Sequence, residues 1–426
     1  MKLWRFNIKT KSQPTHTPPA SAEITEFAPR SNPNDAVVLY AVAIALTIAI
    51  LYKLMALGAA DLSIPFIIWS DSRLYRALFK GMIENGWYVF NPSLGAPFGM
   101  DMHDWVPSDY GNFLLSKLIS LCFPSPETTF NIYYLLSFPL TTVTALFTLR
   151  RLGFSVAPSL LGSILYTFLP YHFLRVDHLF LSCYCLVPLL VLTAIWVAQG
   201  VPLLVSRDPE SGKLRPSIRD KSSLLSLGIL ALAAASGVYY VFFACFFLVI
   251  AGIQAFILRR ELLPTLRAVI LSGAATLILL LCMSPTILYR FHYGPNPEAV
   301  VRSPHSAEEY GLKIAQLVLP MRLHRIPRLA NLRRNYDHGP LNNENSNSSL
   351  GAAGTLGFLA LIALAFFPFR GSPHWQLVRT LATLNIAALL LATIGGFGSI
   401  LSWLGLKEIR AYNRISIFIA LFSVLA

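Results

Sequence analysis

Charge is scarce in this sequence. Only 13% of its 426 residues are charged, against about 25% in soluble globular domains, and that shortfall excludes an ordinary water-exposed fold. Cysteine is scarce too. The five cysteines, Cys122, Cys183, Cys185, Cys245 and Cys282, lie mostly inside apolar runs, where they serve as small hydrophobes. The two-residue step from Cys183 to Cys185 suits neither a zinc knuckle nor a redox pair. There is no glycine-rich phosphate loop between a strand and a helix, and no Gly-x-Ser-x-Gly elbow. Soluble nucleotide-sugar, hydrolase and kinase chemistries therefore find no support. The basic excess, a formal +13, does not gather into a patch with interleaved aromatics, which argues against nucleic acid as a partner.

What the sequence has instead is apolar length. Hydrophobic residues make up 55% of it. Apolar runs of about 18 or more residues recur, each enough to cross a hydrocarbon core about 30 Å thick. The expected fold class is all-α, a polytopic transmembrane helical bundle. Residues 1–35 are polar, rich in proline and threonine, and carry Lys2, Arg5, Lys9, Lys11 and Arg30, so a disordered basic tail is expected there. The transmembrane domain is expected over 36–426, with about ten spans. These are 36–57, 130–149, 157–169, 179–198, two within 224–258 parted at Ser236-Gly237, 268–288, 351–369, one ending near Gly395-Gly396 and one starting near 415. The first is too long for a cleaved signal and reads as an anchor. The last stops at Ala426, as in a piece of a longer protein. Basic residues in the tail, at Arg150-Arg151, in 199–222 and at Arg259-Arg260 predict a cytoplasmic N-terminus by the positive-inside rule.

Two long loops, 58–129 and 289–350, then lie on the outer side. In the first, Leu74, Leu78 and Met82 share one face of an expected surface-lying helix. Gly86, Asn91-Pro92 and Gly95-Ala96-Pro97 follow as turns, and 111–121 reads as a second amphipathic piece. In the second loop, Ser306-Ala307-Glu308-Glu309 fits a capping box. It opens an expected surface helix with Tyr310, Ile314 and Leu317 on one face, ended by Pro320.

Four groups of residues carry possible chemistry. Asp71 opens the first surface helix, where Ser70, Asp71 and Ser72 are all good caps. It is also placed to act as a general base on an acceptor hydroxyl, and the two roles are compatible. Asp101, His103 and Asp104 offer oxygen and imidazole ligands to one divalent ion, or form a solvated turn. His172, Arg175 and His178 lie in a nine-residue loop between two expected spans. They suit phosphate or pyrophosphate recognition, or interfacial snorkelling with Asp177 neutralising Arg175. Arg410 and Arg414 fall outside, where arginine is disfavoured, so they imply an anionic partner or anionic lipid headgroups. The aromatics Trp69, Trp87, Tyr88, Trp105 and Tyr110 suit stacking on sugar faces, or an interfacial belt. No spacing among Arg302, His305, Asp337, His338 and Glu344 is diagnostic.

The order of these features carries a resemblance. An anchor precedes an acid at the start of an outer helix. Then come Gly-Trp-Tyr-x-x-Asn-Pro-x-Leu-Gly-x-Pro-x-Gly (86–99) and Pro-Tyr-His-x-x-Arg-x-x-His (170–178). This resembles polytopic glycosyltransferases of the GT-C architecture, in particular YfhO-like bacterial membrane proteins, over most of 36–426. The resemblance implies a bacterial plasma-membrane enzyme. It would transfer a sugar from a polyprenyl-phosphate donor to an extracytoplasmic glycan or lipid acceptor. It implies Asp71 as base, although Ser70 stands where relatives often have glycine. Donor phosphate would go to His172, Arg175 and His178, helped by Arg410 or Arg414. The acceptor would meet Asp101, His103, Asp104, Trp105 and Tyr110. Some relatives hold a metal on an acidic pair, which makes Asp101 and Asp104 the expected ligands for Mg or Mn. This sequence lacks a plain Asp-x-Asp. The competing expectation is a non-enzymatic lipid-linked sugar translocase or envelope-assembly protein. A transporter should show charged or broken helices at mid-depth, whereas here the ionisable residues cluster in outer loops.

Overall fold

A computed structural model describes residues 33–104, 108–208, 210–367 and 374–426. Most of the expected basic tail, and Trp105, lie outside the described residues. The described chain is a helical bundle with two small β-hairpins. Five of its helices are long and apolar enough to cross a membrane: Pro33–Leu54, Pro126–Arg151, Val238–Arg259, Leu263–Tyr293 and Trp375–Ala392. The chain is a membrane protein. The first and fourth of these turn most of their apolar side chains outward, as lipid-facing helices do.

Other expected spans come out shorter. Val187–Gln199 and Lys221–Ala234 are apolar but only 13 and 14 residues long. That is about 20 Å of helix, less than a hydrocarbon core. The reason is local. The 157–169 run becomes Val156–Thr167, because Pro170 restarts the chain as the short Pro170–Leu174 helix. The 179–198 run is cut after Leu179–Ser182 and resumes with Pro188 in its first turn. The break at Ser236-Gly237 is as expected: Gly237 adopts φ +126° between two helices.

Close helix contacts use small residues. A Cβ on Gly252 would lie 2.9 Å from the Ala268 Cβ, and one on Gly357 only 1.9 Å from the Ser423 carbonyl oxygen. Both helix pairs therefore pack backbone to backbone.

Connections gather at the two ends of the bundle. One end holds Arg150, Arg151, the Leu204–Arg207/Leu214–Ser217 hairpin and Arg260. The other holds the two long loops. There the amide of Gly111 donates to the Ala235 carbonyl (2.6 Å) and Asn347 Nδ2 to the Leu174 carbonyl (3.0 Å), which binds distant loops into one layer. Buried Arg333 donates to Asp337 (2.9 Å) and to the Ser346 carbonyl (2.7 Å), ordering the second loop.

The amphipathic helix of the first loop is Ser72–Asn85, with Tyr75, Leu78, Phe79 and Met82 buried. The 306–320 helix is interrupted. Ser306–Glu309 and Ile314–Val318 are separate because Leu312 pairs with the strand-like 392–394 segment (Leu312 N to Ala392 O, 2.7 Å). The Ser306-to-Glu309 capping box does not form: His305 takes the N-cap position without a side-chain cap bond, and the neighbouring Glu308 carboxylate accepts from the Gly395 amide at 2.7 Å.

Candidate functional site

Asp71 begins the Ser72–Asn85 helix, yet its carboxylate makes no capping hydrogen bond. It is left facing across the loop layer. Ser70, just before it, is held at φ +56°, the left-handed region that glycine enters without strain. The turn aims Asp71 at His178, whose Nε2 lies 3.4 Å from the carboxylate. The His178 Nδ1 lies 3.1 Å from Asp177, and its Nε2 lies 3.8 Å from Glu344. One imidazole therefore sits among three carboxylates. Burial would raise the Asp177 carboxyl, but the hydrogen bond from His178 and the charges of His178 and Arg175 bring it below its ordinary value.

Glu344 is the centre of the other half. Arg175 Nη1 donates to it at 2.5 Å, Arg414 Nη2 at 3.3 Å and Asn413 Nδ2 at 3.1 Å. Arg175 Nη2 also reaches the Glu344 carbonyl (3.2 Å) and Asn413 Oδ1 (2.7 Å). Burial alone would raise the Glu344 carboxyl; the Arg414 and Arg175 guanidiniums hold it well below the carboxylate range. Arg175 is fully buried. Arg414 lies over the Tyr239 ring at 4.2 Å. The Nε–H of each arginine is buried without an acceptor. Asp109 belongs to the same neighbourhood. Loss of solvent raises its carboxyl to about 7, against the pull of an Asn112 hydrogen bond and the Arg414 charge. The charges of Asp109, Asp71, Arg414 and Asp177 all reach the buried Tyr75.

The structure thus brings together Asp71, Arg175, His178 and Arg414 among the residues singled out by sequence. With them stand Glu344, which takes the neutralising role expected of Asp177, Asp177 itself beside His178, Asn413 and Asp109. Trp69, in the turn just before Asp71, is 62% exposed; the other candidates among the described residues are placed differently. His172 is fully buried, stacked on Phe138 (3.7 Å, 1° between planes), and both ring nitrogens are engaged, by Ser137 Oγ at 2.7 Å and the Thr167 carbonyl at 2.9 Å. Burial pushes its imidazole down to about 3. A neutral, fully engaged ring has no donor to offer a phosphate, so the role expected for His172 is corrected. Arg410 lies over the Tyr310 ring at 4.8 Å and is not among the residues that pair with Glu344, which are Arg175, His178 and Arg414. Tyr88 is buried with one face stacked on Phe113 (3.7 Å), and Tyr110 packs against Trp87 and Tyr88. Those rings build the loop layer rather than stand open to a sugar.

Asp101, His103 and Asp104 form a separate 240 Å³ cavity with the end of the Leu263–Tyr293 helix. Tyr289 donates to Asp101 (2.8 Å), while Arg290 (3.0 Å) and Asn296 (2.7 Å) donate to Asp104. His103 stacks on Tyr289 at 4.3 Å. This donor set does not fit a divalent ion. The carboxylates are already taken by protein donors, one of them a cation. No group of three His, Cys, Asp or Glu suited to a metal occurs among the described residues.

The model of the family described as "Domain of unknown function (DUF6311)" matches residues 90–419, and the chain belongs to that family. The match takes in Arg175, His178, Glu344 and Arg414 and begins after Asp71. No curated protein and no solved structure matches the chain.

Proposed function

We propose that this member of the family is a membrane glycosyltransferase. It moves a sugar from a polyprenyl-phosphate donor to a hydroxyl of a glycan or lipid on the outer side of a bacterial plasma membrane. The arginine-rich end of the bundle and the N-terminus face the cytoplasm, by the positive-inside rule. One observation carries the reading. Asp71, half-exposed, shares His178 with Glu344, and on Glu344 two arginines converge. A proton acceptor and a cation pair suited to a leaving phosphate share one site.

In the proposed step the acceptor oxygen attacks the anomeric carbon. Its proton passes to the Asp71 carboxylate. The bond from the anomeric carbon to the carrier's phosphate oxygen breaks, and polyprenyl phosphate leaves with the bonding pair, inverting the anomeric centre. Arg414, at the less buried edge of the pair, supplies positive charge to the leaving phosphate. Arg175 fixes Glu344, and His178 orients Asp71. The 240 Å³ cavity, lined by Asp101, His103 and Asp104, offers Tyr293 as a stacking face on the acceptor side. No step passes through a metal.

The broken helices between Val156 and Gln199 favour a second reading, a lipid-linked sugar translocase, since transporters bind at interrupted helices. Full-length protein in proteoliposomes, given radiolabelled polyprenyl-phosphate sugars and candidate acceptors, separates the two. Label appearing in an acceptor supports the transferase. Donor lipid crossing the bilayer with no transfer from any donor sinks it and favours the translocase.

A further inference from the structure

A larger cavity of 560 Å³ lies at the opposite end of the bundle, away from Asp71. It opens between the Leu204–Arg207/Leu214–Ser217 hairpin and the turn that joins Val238–Arg259 to Leu263–Tyr293. Its rim carries Arg207, Arg260 and Glu261, and its wall Leu214, Leu262 and Leu266.

Three features set it apart from an ordinary basic turn. First, its walls are held in place. Arg267, 5% exposed, donates from Nε to the Val205 carbonyl and from Nη1 to the Gly200 carbonyl, both at 2.9 Å. The Ser206 and Ser217 hydroxyls bond across the strands. The strand that presents Arg207 is thereby pinned against the helix that presents Leu266. Second, Arg260 sits at φ +58°. Its amide closes the preceding helix on the Phe256 carbonyl at 2.8 Å, in the position where helices usually place glycine. A long cationic side chain is kept where the backbone favours none. Third, the rim is unsatisfied and the wall is open to an acyl chain. The Arg207 and Arg260 guanidiniums have no hydrogen-bond or ion-pair partner among the described residues. Leu214, Leu262 and Leu266 are 54%, 69% and 40% exposed.

Unpaired guanidiniums beside bare leucines match an amphiphile with an anionic head. A soluble phosphate would satisfy the rim but leave the leucines beside it unused. A neutral lipid would cover the wall but leave two cations unpaired. We propose that this cavity holds one anionic phospholipid. Arg207 and Arg260 take the phosphate oxygens, which suit the guanidinium fork, and the three leucines line the first methylenes of the acyl chains. The site is independent of the transfer chemistry at the other end.

The test is native mass spectrometry of the full-length protein in detergent, titrated with phosphatidylglycerol. The expected result is one tightly retained lipid per chain. Arg260→Gly should relax the backbone and leave the melting temperature no lower, while weakening retention roughly tenfold or more. Arg207→Gln should weaken it comparably. Phosphatidylcholine with the same chains should not be retained, and sn-glycerol 1-phosphate should not compete. Retention unchanged in both variants would overturn the assignment. So would equal retention of phosphatidylcholine, or glycerol phosphate binding as tightly as the lipid.

Discussion

Glu344→Gln is the most informative stability test of the loop layer. In the native protein this carboxylate meets Arg175 at 2.5 Å, Asn413 at 3.1 Å and Arg414 at 3.3 Å, with His178 at 3.8 Å. Glutamine keeps the size and one carbonyl acceptor but removes the charge. Arg175 is fully buried and Arg414 is mostly so. The variant leaves two cations facing each other in a site of low dielectric. Breaking a buried pair by removing one partner costs about 3–5 kcal/mol. Here one anion serves two cations, so the upper part of that range is expected. A double-mutant cycle separates the charge interaction from the loss of packing. Arg175→Met alone should also destabilise, while Arg175→Met with Glu344→Gln should cost less than the sum, with a coupling of about 1–3 kcal/mol. The assay is unfolding in a fixed detergent, followed by intrinsic tryptophan fluorescence. A Glu344→Gln protein that unfolds within about 0.5 kcal/mol of wild type, a shift typical of a surface change, would refute the claim that Glu344 neutralises the arginine pair.

Two further predictions follow from the same layer and from the helix packing. The Asp109 carboxyl is raised to about 7, whereas in the unfolded chain it ionises near 3.9; between these values the folded state keeps a proton that the unfolded state has lost. Stability should therefore fall as pH rises across that window and level off above it, by at most about 4 kcal/mol from this group, and Asp109→Asn should flatten the slope measured by thermal unfolding from pH 5 to 7. Gly357→Ala would force a methyl to within 1.9 Å of the Ser423 carbonyl oxygen, so the two helices must move apart, at a cost of about 1–3 kcal/mol read from the same unfolding assay.

What was legible in the sequence depended on distance along the chain. The membrane class, the break at Ser236-Gly237 and the amphipathic Ser72–Asn85 helix are local, set by hydropathy, a glycine and a periodicity, and the structure has all three. The association of Asp71 with the 170–178 loop rested on two short phrases, and His178 stands beside Asp71. Glu344 was illegible. It is 169 positions from Arg175, a lone acid in an asparagine-rich run, and nothing near it marks it as the shared partner of two arginines. His172 was misread for the opposite reason. It belongs to a suggestive phrase, but its partners, Phe138 and Ser137, lie on a helix whose sequence shows only apolar periodicity. Span lengths were overestimated where prolines cut apolar runs into short helices, because composition counts apolar residues and not the backbone bonds that Pro170 and Pro188 remove.

The central claim is that Asp71 takes the acceptor proton. The direct measurement is single-turnover transfer of radiolabelled sugar from a polyprenyl-phosphate donor by full-length protein, wild type against Asp71→Asn, with both proteins checked for the same unfolding temperature. Loss of a general base costs roughly 10²–10⁴-fold, and that loss is the expected result. A folded Asp71→Asn protein that transfers sugar at the wild-type rate would contradict the account.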